Sequence, residues 1–260
     1  MMTTAKSTLD LIGNTPILKL QKIVPINSAE VWLKFEAKNP TGSYKDRMAK
    51  SVLENALKRG DVTVGDTVVE YTGGSTGSSL AFVSAALGLK FVAVFSDAFS
   101  SNKQRTMEAF GATVHVEKSN GKGITPELIQ RMKTKAFELS KKGNTFYADQ
   151  FGSTDVTLGY ETMGKEIGNQ LDGEIDVLCA SVGTGGAIMG CWKGLVQNGI
   201  TADVVAFEPH QSPFLTTGKG GAHLVEGIGV GFEPPFLDRS VLADIRAFDQ
   251  ELGFTMCRRL

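Results

Sequence analysis

One lysine, Lys45, lies at the junction between a predicted turn and a predicted helix. The segment Asn39–Lys50 begins with Asn-Pro and a glycine, which are turn signals, and continues into apolar residues at three- and four-residue spacing. Ser43 is placed to cap this helix, Asp46 suits the positive end of its dipole, and Gly60 is a typical C-terminal stop. Lys45 in the first turn would be held in position and partly desolvated, which lowers a lysine pKa and allows Schiff-base formation. The alternative is an ordinary solvated lysine.

A glycine-rich loop, Gly183–Ala187, lies between a predicted buried strand and a predicted helix. Glycines let backbone amides approach an anion closely, and the dipole of the following helix favours negative charge there. The loop lacks the third glycine of a dinucleotide-binding pattern and the lysine of a P-loop. We therefore predict a phosphate-binding loop, with a plain tight turn as the alternative.

A second loop, Gly73–Gly77, fits the G-x-S-x-G pattern of a hydrolase nucleophile elbow. On that interpretation Ser75 is the nucleophile, and His210 or His223 is its partner. No HGGG-like oxyanion segment precedes the loop. A hydrolase would also leave Lys45 and the first glycine loop unexplained, so it is the less favoured hypothesis.

The elements that must position these residues alternate between strand and helix, which predicts an α/β fold with parallel sheets and right-handed crossovers. We expect two lobes with the lysine where they meet. Asp249 is expected to cap a final helix. The predicted strands cover residues 30–36, 66–71, 91–95, 113–116, 176–181 and 203–208, and the predicted helices cover 45–59, 78–87, 103–110, 126–141, 159–170 and 188–197. Residues 146–151 are expected to lead into the helix that begins at 159.

Composition favours an ordinary globular protein, because 42% of the 260 residues are hydrophobic and 21% are charged. A net charge of -1 gives no electrostatic case for nucleic acid or a membrane surface. No apolar run is long enough to span a membrane, and the N-terminal residues lack the apolar core of a secretion signal, so we expect a cytoplasmic protein. The three cysteines are expected to be reduced and mostly buried, and the three scattered histidines predict no metal site.

The segment Asn39–Arg47 resembles the cofactor-lysine motif of the cysteine synthase / cystathionine beta-synthase family, Asn-Pro-x-Gly-Ser-x-Lys-Asp-Arg, at every fixed position. The lead-in Ile12–Pro16, Ile-Gly-Asn-Thr-Pro, matches the same family. Its members are pyridoxal-phosphate (PLP) enzymes with the tryptophan synthase beta-subunit-like fold, PLP fold type II. The resemblance implies this fold, PLP as the cofactor, and Lys45 as the catalytic residue that carries it.

The resemblance also implies the other site residues. The family's Thr-Ser-Gly-Asn-Thr-Gly loop binds the substrate carboxylate, and here Gly73 replaces its serine while Ser75 replaces the asparagine that contacts the cofactor ring hydroxyl. Gly227 opens a stretch that faces the cofactor in the family. The implied cofactor-binding residues are Lys45, Ser75, Gly183, Thr184, Gly185, Gly186, Ala187 and Gly227. The implied substrate-binding residues are Thr72, Gly73, Gly74, Ser75, Thr76 and Gln150.

The reaction that the resemblance implies is β-replacement on an O-activated serine such as O-acetylserine, giving cysteine or a related amino acid. Lys45 would hold PLP and then act as general base on the α-proton. The alternatives are β-elimination or dehydration of serine or threonine, and a catalytically impaired PLP-binding remnant. The expected partners are a small-molecule amino-acid substrate and a second copy of the chain in a homodimer.

We expect the larger, phosphate-binding lobe to comprise residues 1–34 and 146–260, and the smaller mobile lobe, with the carboxylate loop, to comprise 35–145. In the family, the last helix of this sequence leads to a Gly-x-Ser-Ser-Gly segment whose serine meets the PLP pyridine nitrogen and tunes its electronics. That segment does not follow here. The resemblance therefore predicts a family member that is shortened at its C-terminus, with an incomplete larger lobe.

Overall fold

The computed structural model describes residues 4–260. These residues form two compact units, and each unit is built from separate segments of the chain. The first unit comprises Asn39–Gly159 together with the described residues up to Gly13. The second unit comprises Asn14–Lys38 and Tyr160–Leu260.

Strands and helices alternate along most of the described chain. The strands are β1 (Ile17–Lys19), β2 (Trp32–Lys34), β3 (Thr67–Tyr71), β4 (Lys90–Ser96), β5 (Thr113–Glu117), β6 (Thr145–Tyr147), β7 (Val177–Ser181), β8 (Asp203–Pro209) and β9 (Leu242–Phe248). The α-helices are α1 (Lys45–Arg59), α2 (Ser75–Ala86), α3 (Ser101–Ala109), α4 (Pro126–Ser140), α5 (Asp155–Gln170), α6 (Gly186–Gln197), α7 (Phe214–Thr217) and α8 (Gln250–Arg259). Short 3₁₀ helices cover Thr8–Leu11, Glu36–Lys38 and Arg239–Val241.

The first unit contains a parallel four-stranded sheet in the order β5-β4-β3-β6. In parallel strands the C-terminal ends lie along the same edge, where α/β proteins bind their ligands. The chain leaves β3 at this edge and enters α2 within three residues. Packing of α4 on the sheet gives a core of Val69, Tyr71, Val94, Leu128, Met132 and Ala136.

Helix α1 follows the predicted pattern closely. Its apolar face, formed by Met48, Ala49, Val52, Leu53 and Ala56, is almost completely buried. The helix ends at Gly60, which has the left-handed φ of 78° and donates its amide to the carbonyls of Ala56 and Leu57. This C-terminal stop confirms the sequence prediction.

The second unit contains an antiparallel pair, β1 and β2, and a parallel sheet in the order β7-β8-β9. Lys34 on β2 pairs with Glu166 on α5 at 2.7 Å, and both side chains are largely buried. A β-carbon on Gly164 would collide with the carbonyl oxygen of Cys191, so α5 and α6 pack closely because Gly164 has no side chain. The core consists of Val182, Ile188, Met189, Val204, Ala206 and Leu215.

Some features depart from the predictions. Strands β1, β6 and β9 were not predicted, and α5 begins at Asp155 rather than residue 159. The expectation that the cysteines are mostly buried is wrong, because only Cys191 is buried. Cys179 lies on β7, an edge strand of its sheet, and Cys257 lies on an exposed face of α8.

The units group the chain differently from the predicted lobes, since the described residues up to Gly13, which were predicted in the larger lobe, belong to the first unit. Residues 146–159 belong to the first unit because β6 pairs with β3 in the four-stranded sheet. Residues 35–38 belong to the second unit. The roles assigned to the two lobes stay predictions. Within residues 4–260, no helix is both long and apolar enough to cross a membrane.

Candidate functional site

Lys45 is the first residue of α1, and a tight turn holds it there. The carboxylate of Asp46 is fully buried and accepts hydrogen bonds from the amide of Thr41 at 2.8 Å and from its hydroxyl at 2.5 Å. Ser43 Oγ accepts the amide of Lys45 at 3.2 Å. Asp46 therefore does more than complement the helix dipole, since it closes the turn that sets the direction of the lysine.

The Lys45 side chain is half-buried, and its Nζ lies 4.5 Å from the centroid of the Tyr44 ring. The turn also contacts α2, because Thr41 Oγ1 lies 3.2 Å from Ser79 Oγ. This hydroxyl pair connects the lysine turn to the helix that begins at Ser75. The structure thus places the predicted lysine on a packed turn within the first unit.

The loop between β3 and α2 is closed by the hydroxyl of Thr72. Thr72 Oγ1 accepts the amides of Gly74 and Gly77, both at 3.1 Å. A β-carbon on Gly73 would lie 2.7 Å from the Phe99 ring, and one on Gly77 would collide with the methyl group of Thr72. The loop therefore needs glycine at both positions to bring its backbone into this conformation.

Gln150 lies against this loop. Its Oε1 accepts the hydroxyl hydrogen of Thr76 at 2.8 Å, and its Nε2 donates to the carbonyl of Tyr71 at 3.1 Å. Thr76 and Gln150 are buried, with exposed fractions of 5% and 9%. Two residues that are 74 positions apart are thus held in a single hydrogen-bonded cluster.

Glu70, on β3 directly behind this cluster, was not predicted from the sequence. It is completely buried, and its carboxyl oxygens accept the amides of Tyr71 at 3.0 Å and Gln150 at 2.9 Å. Burial raises the pKa of Glu70 from 4.5 to about 8, and the nearby Asp149 adds to the increase. Glu70 therefore supports the backbone of Gln150 from the side away from Thr76.

The free energy of unfolding is expected to depend on pH through Glu70. The unfolded chain loses this proton near pH 4.5, whereas the folded chain keeps it until about pH 8. Between these values the folded state binds more protons than the unfolded state, so stability falls as pH rises. Relative to Glu70→Gln, which does not titrate, we expect wild-type stability to fall by a few kcal/mol across this interval. Urea unfolding at a series of pH values measures the difference.

Glu138→Gln, an exposed substitution on α4 of the same unit, is the matched control. It removes the same charge without changing a buried group. Its stability should follow that of the wild type across the pH series. If the stability of Glu70→Gln also followed that of the wild type, the carboxyl of Glu70 would have the same pKa in the folded and unfolded chains. The raised pKa assigned to Glu70 in the folded chain would then be wrong.

The predicted phosphate loop lies in the second unit, between β7 and α6. Residues 183–186 are buried, and Gly185 is the N-cap of α6 with a φ of 83°. A β-carbon on Gly185 would lie 2.7 Å from the amide nitrogen of Leu237. The first-turn amides of an α-helix have no carbonyl partner inside the helix. The arrangement therefore suits an anion at the start of α6.

Gly227 lies beside this loop, because a β-carbon on Gly183 would collide with its carbonyl oxygen. The amide of Gly229 donates to the carbonyl of Val182 at 3.0 Å, which fixes the glycine stretch against the end of β7. His223 Nε2 lies 3.0 Å from the carbonyl oxygen of Gly229. The structure thus brings Gly227 together with Gly183, as the sequence predicted.

The arrangement gives little support to the hydrolase interpretation. Ser75 Oγ has Lys103 Nζ as a polar neighbour at 3.4 Å. His223 Nδ1 accepts the amide of Val225 at 3.3 Å, so both of its ring nitrogens are engaged in its own loop. Among residues 4–260, no group of three His, Cys, Asp or Glu side chains could hold a metal ion.

Comparison with known sequences identifies the family. The profile described as pyridoxal-phosphate dependent enzyme matches residues 8–260. The chain belongs to this family. A cysteine synthase from Staphylococcus aureus (strain Mu50 / ATCC 700699) is 36% identical to the chain over 254 residues, which is 96% of this chain and 79% of that protein.

Solved structures of PLP enzymes share the fold. An O-ureido-L-serine synthase superposes with a TM-score of 0.91 at 34% identity, covering 99% of this chain and 80% of the other. A hydrogen sulfide-producing enzyme from Fusobacterium nucleatum gives a TM-score of 0.91 at 32% identity, covering 100% of this chain and 84% of the other. The predicted α/β fold with parallel-sheet cores, of PLP fold type II, is confirmed. Pyridoxal phosphate is the cofactor of this family.

Proposed function

We propose that this PLP-dependent enzyme replaces the β-substituent of an O-activated serine and forms cysteine or a related amino acid. The main support is its 36% identity to a cysteine synthase along 96% of the chain. Similarity to an O-ureido-L-serine synthase supports the same reaction class. The loop from Thr72 to Thr76 supports an amino-acid substrate, since it leads into the N-terminus of α2, where first-turn amides without a carbonyl partner suit a carboxylate.

The residues present fit PLP. The phosphate is an anion, and the loop Gly183–Ala187 is a glycine-rich helix start in which added β-carbons would collide with neighbouring backbone. The aldehyde requires a primary amine, and Lys45 is a half-buried lysine on a fixed turn. Gly183, Thr184, Gly185, Gly186 and Ala187 would hold the phosphate, and Gly227, which lies against Gly183, would also contribute to cofactor binding.

When bound, PLP supplies an electron sink that stabilises negative charge on the substrate α-carbon. Lys45 would hold the cofactor through its amine and would accept the α-proton of the substrate at Nζ. The substrate carboxylate would bind the loop from Thr72 to Thr76, where Gly73 and Ser75 would contribute amides and Gln150 a side-chain donor. Gly74 would shape this loop, since its amide is donated to Thr72 Oγ1. Ser75 would also contribute its hydroxyl to cofactor binding.

Within this assignment the hydroxyl of Thr72 shapes the carboxylate-binding loop. It accepts the amides of Gly74 and Gly77, which fixes the backbone where the chain enters α2. The first unit then serves as the smaller mobile lobe, and the second serves as the phosphate-binding lobe.

The enzyme is further proposed to be a cytoplasmic homodimer, and light scattering of the purified 27.8 kDa chain tests its oligomeric state directly.

A second candidate function is β-elimination. It is supported by similarity to the hydrogen sulfide-producing enzyme of Fusobacterium nucleatum. In elimination the β-substituent leaves and no nucleophile replaces it, so the product is a keto acid and ammonia. Both reactions use the same lysine and the same carboxylate site, and they differ in whether a nucleophile adds to the β-carbon after the substituent has left.

Product analysis separates the two candidates. With O-acetylserine and sulfide, the PLP-loaded chain is expected to form cysteine and acetate. With sulfide omitted, the proposed function predicts little pyruvate, whereas β-elimination predicts pyruvate at a similar rate in both conditions. A chain that binds PLP and forms neither product would be a catalytically impaired remnant, which contradicts the proposal.

A further inference from the structure

Lys103, the third residue of α3, lies across the loop that enters α2. Its Nζ is 3.4 Å from Ser75 Oγ. A β-carbon on Gly74 would lie 3.2 Å from Lys103 Cγ, 3.6 Å from Cδ and 3.7 Å from Cε. The aliphatic part of the lysine therefore runs over Gly74 and carries the ammonium group to the start of α2.

The position of this charge is unfavourable without an anion. A cation in the first turn of a helix opposes the helix dipole, and Lys103 is in the first turn of α3 while its Nζ lies at the first residue of α2. The N-cap residues of the two helices, Gly74 and Ser100, make no side-chain cap, and the Thr72 hydroxyl accepts one first-turn amide of α2, that of Gly77. No carboxylate among residues 4–260 forms an ion pair with Lys103.

We propose that Lys103 is a substrate-binding residue that attracts the α-carboxylate of the amino-acid substrate to the Thr72–Gln150 cluster and so selects substrates with a free carboxylate. This inference rests on the proposed function, which places that carboxylate on the same loop. The N-terminus of α2 and one ammonium group then act on a single anion. Such charge-assisted hydrogen bonds are stronger than those between neutral groups.

The half-buried position of Lys103 determines how much it contributes to the affinity for the substrate carboxylate. An ammonium group that is open to water on one side contributes less than a fully buried one, because water screens its charge. Hydrogen bonds to charged groups contribute about 1.5–3 kcal/mol, and the lower end corresponds to about a tenfold change in affinity. The effect should also decrease with added salt.

The test compares two probes that differ only in charge at the carboxyl group. L-Alanine and L-alaninamide have no β-leaving group, so they bind the PLP-loaded enzyme without turnover, and visible absorbance of the cofactor reports their affinity. We expect Lys103→Gln to weaken L-alanine binding by about tenfold and to leave L-alaninamide binding unchanged. Lys103→Arg, which keeps the charge, should recover most of the L-alanine affinity.

Lys133→Gln is the matched control, since it removes an exposed lysine from α4 of the same unit. It should change the affinity of neither probe. Equal weakening of both probes by Lys103→Gln would show that the lysine only supports the loop, and the proposal would fail. Unchanged affinity for both would also overturn it.

These outcomes are separate from the test of the reaction. If the wild-type enzyme formed no cysteine but Lys103→Gln still weakened L-alanine alone, the reaction assignment would fail and the role of Lys103 would stand. If the wild-type enzyme formed cysteine and the ratio of the L-alanine and L-alaninamide affinities were the same in Lys103→Gln as in the wild type, only the proposed role of Lys103 would fail. Thermal unfolding of each variant shows whether the fold is intact.

Discussion

Replacing Lys45 by alanine is expected to abolish covalent attachment of PLP and to lower turnover by at least about a thousandfold. In the proposed assignment, the amine that holds the cofactor and the base that accepts the α-proton are the same atom, so both functions would be lost together. Borohydride treatment of the PLP-loaded wild type should fix the cofactor on the peptide that contains Lys45, as read by mass spectrometry. The alanine variant should yield no such peptide.

Lys58→Ala provides the matched control for this prediction. Lys58 lies exposed near the end of the same helix, and alanine is compatible with a helix at either position. The control should therefore keep both the labelled peptide and the turnover. Cofactor found on another lysine in the wild type would contradict the assignment of Lys45.

Replacing Gly185 by alanine is expected to weaken cofactor binding and to destabilise the second unit. Its φ of 83° is a left-handed conformation that costs a residue with a β-carbon about 1–2 kcal/mol. The new β-carbon would also lie 2.7 Å from the Leu237 amide nitrogen, and such crowding costs about 1–3 kcal/mol more. We expect PLP affinity to fall by about tenfold to a hundredfold, measured by fluorescence titration of the apoenzyme.

Gly199→Ala separates the two causes of this effect. Gly199 has a φ of 76°, close to that of Gly185, and no described atom lies within 4 Å of the position that its β-carbon would take. The control should lose stability from the backbone conformation alone and keep its affinity for PLP. An equal loss of PLP affinity in both variants would show that Gly185 has no specific role in binding the phosphate.

The features that were predicted best from the sequence are those that depend on residues close to one another along the chain. The turn before Lys45 and the stop at Gly60 follow from local propensities, so a short window of sequence suffices. The glycine loops were recognisable because a strand precedes each and a helix follows. The placement of Gln150 against Thr76 came from family resemblance, since nothing local to either residue indicates the contact.

The features that sequence did not predict depend on distant parts of the chain. Glu70 sits in a strand as a single charged residue, and only the folded structure shows that its carboxyl accepts the amide of a residue 80 positions away. Lys103 looks like an ordinary surface lysine until α3 is placed beside Gly74. Strand β9 was not recognised in the sequence because it contains the charged residues Asp244 and Arg246, which pair with each other on its exposed side.

The division of the chain into interleaved segments affects how the protein emerges from the ribosome. All residues of the first unit have been synthesised once Gly159 is added, so its four-stranded sheet can assemble early. The pair β1–β2 has been made well before that point, yet the helix and sheet with which it is grouped are made only after Tyr160. More than a hundred further residues must therefore be synthesised before this early hairpin can pack with the rest of its unit.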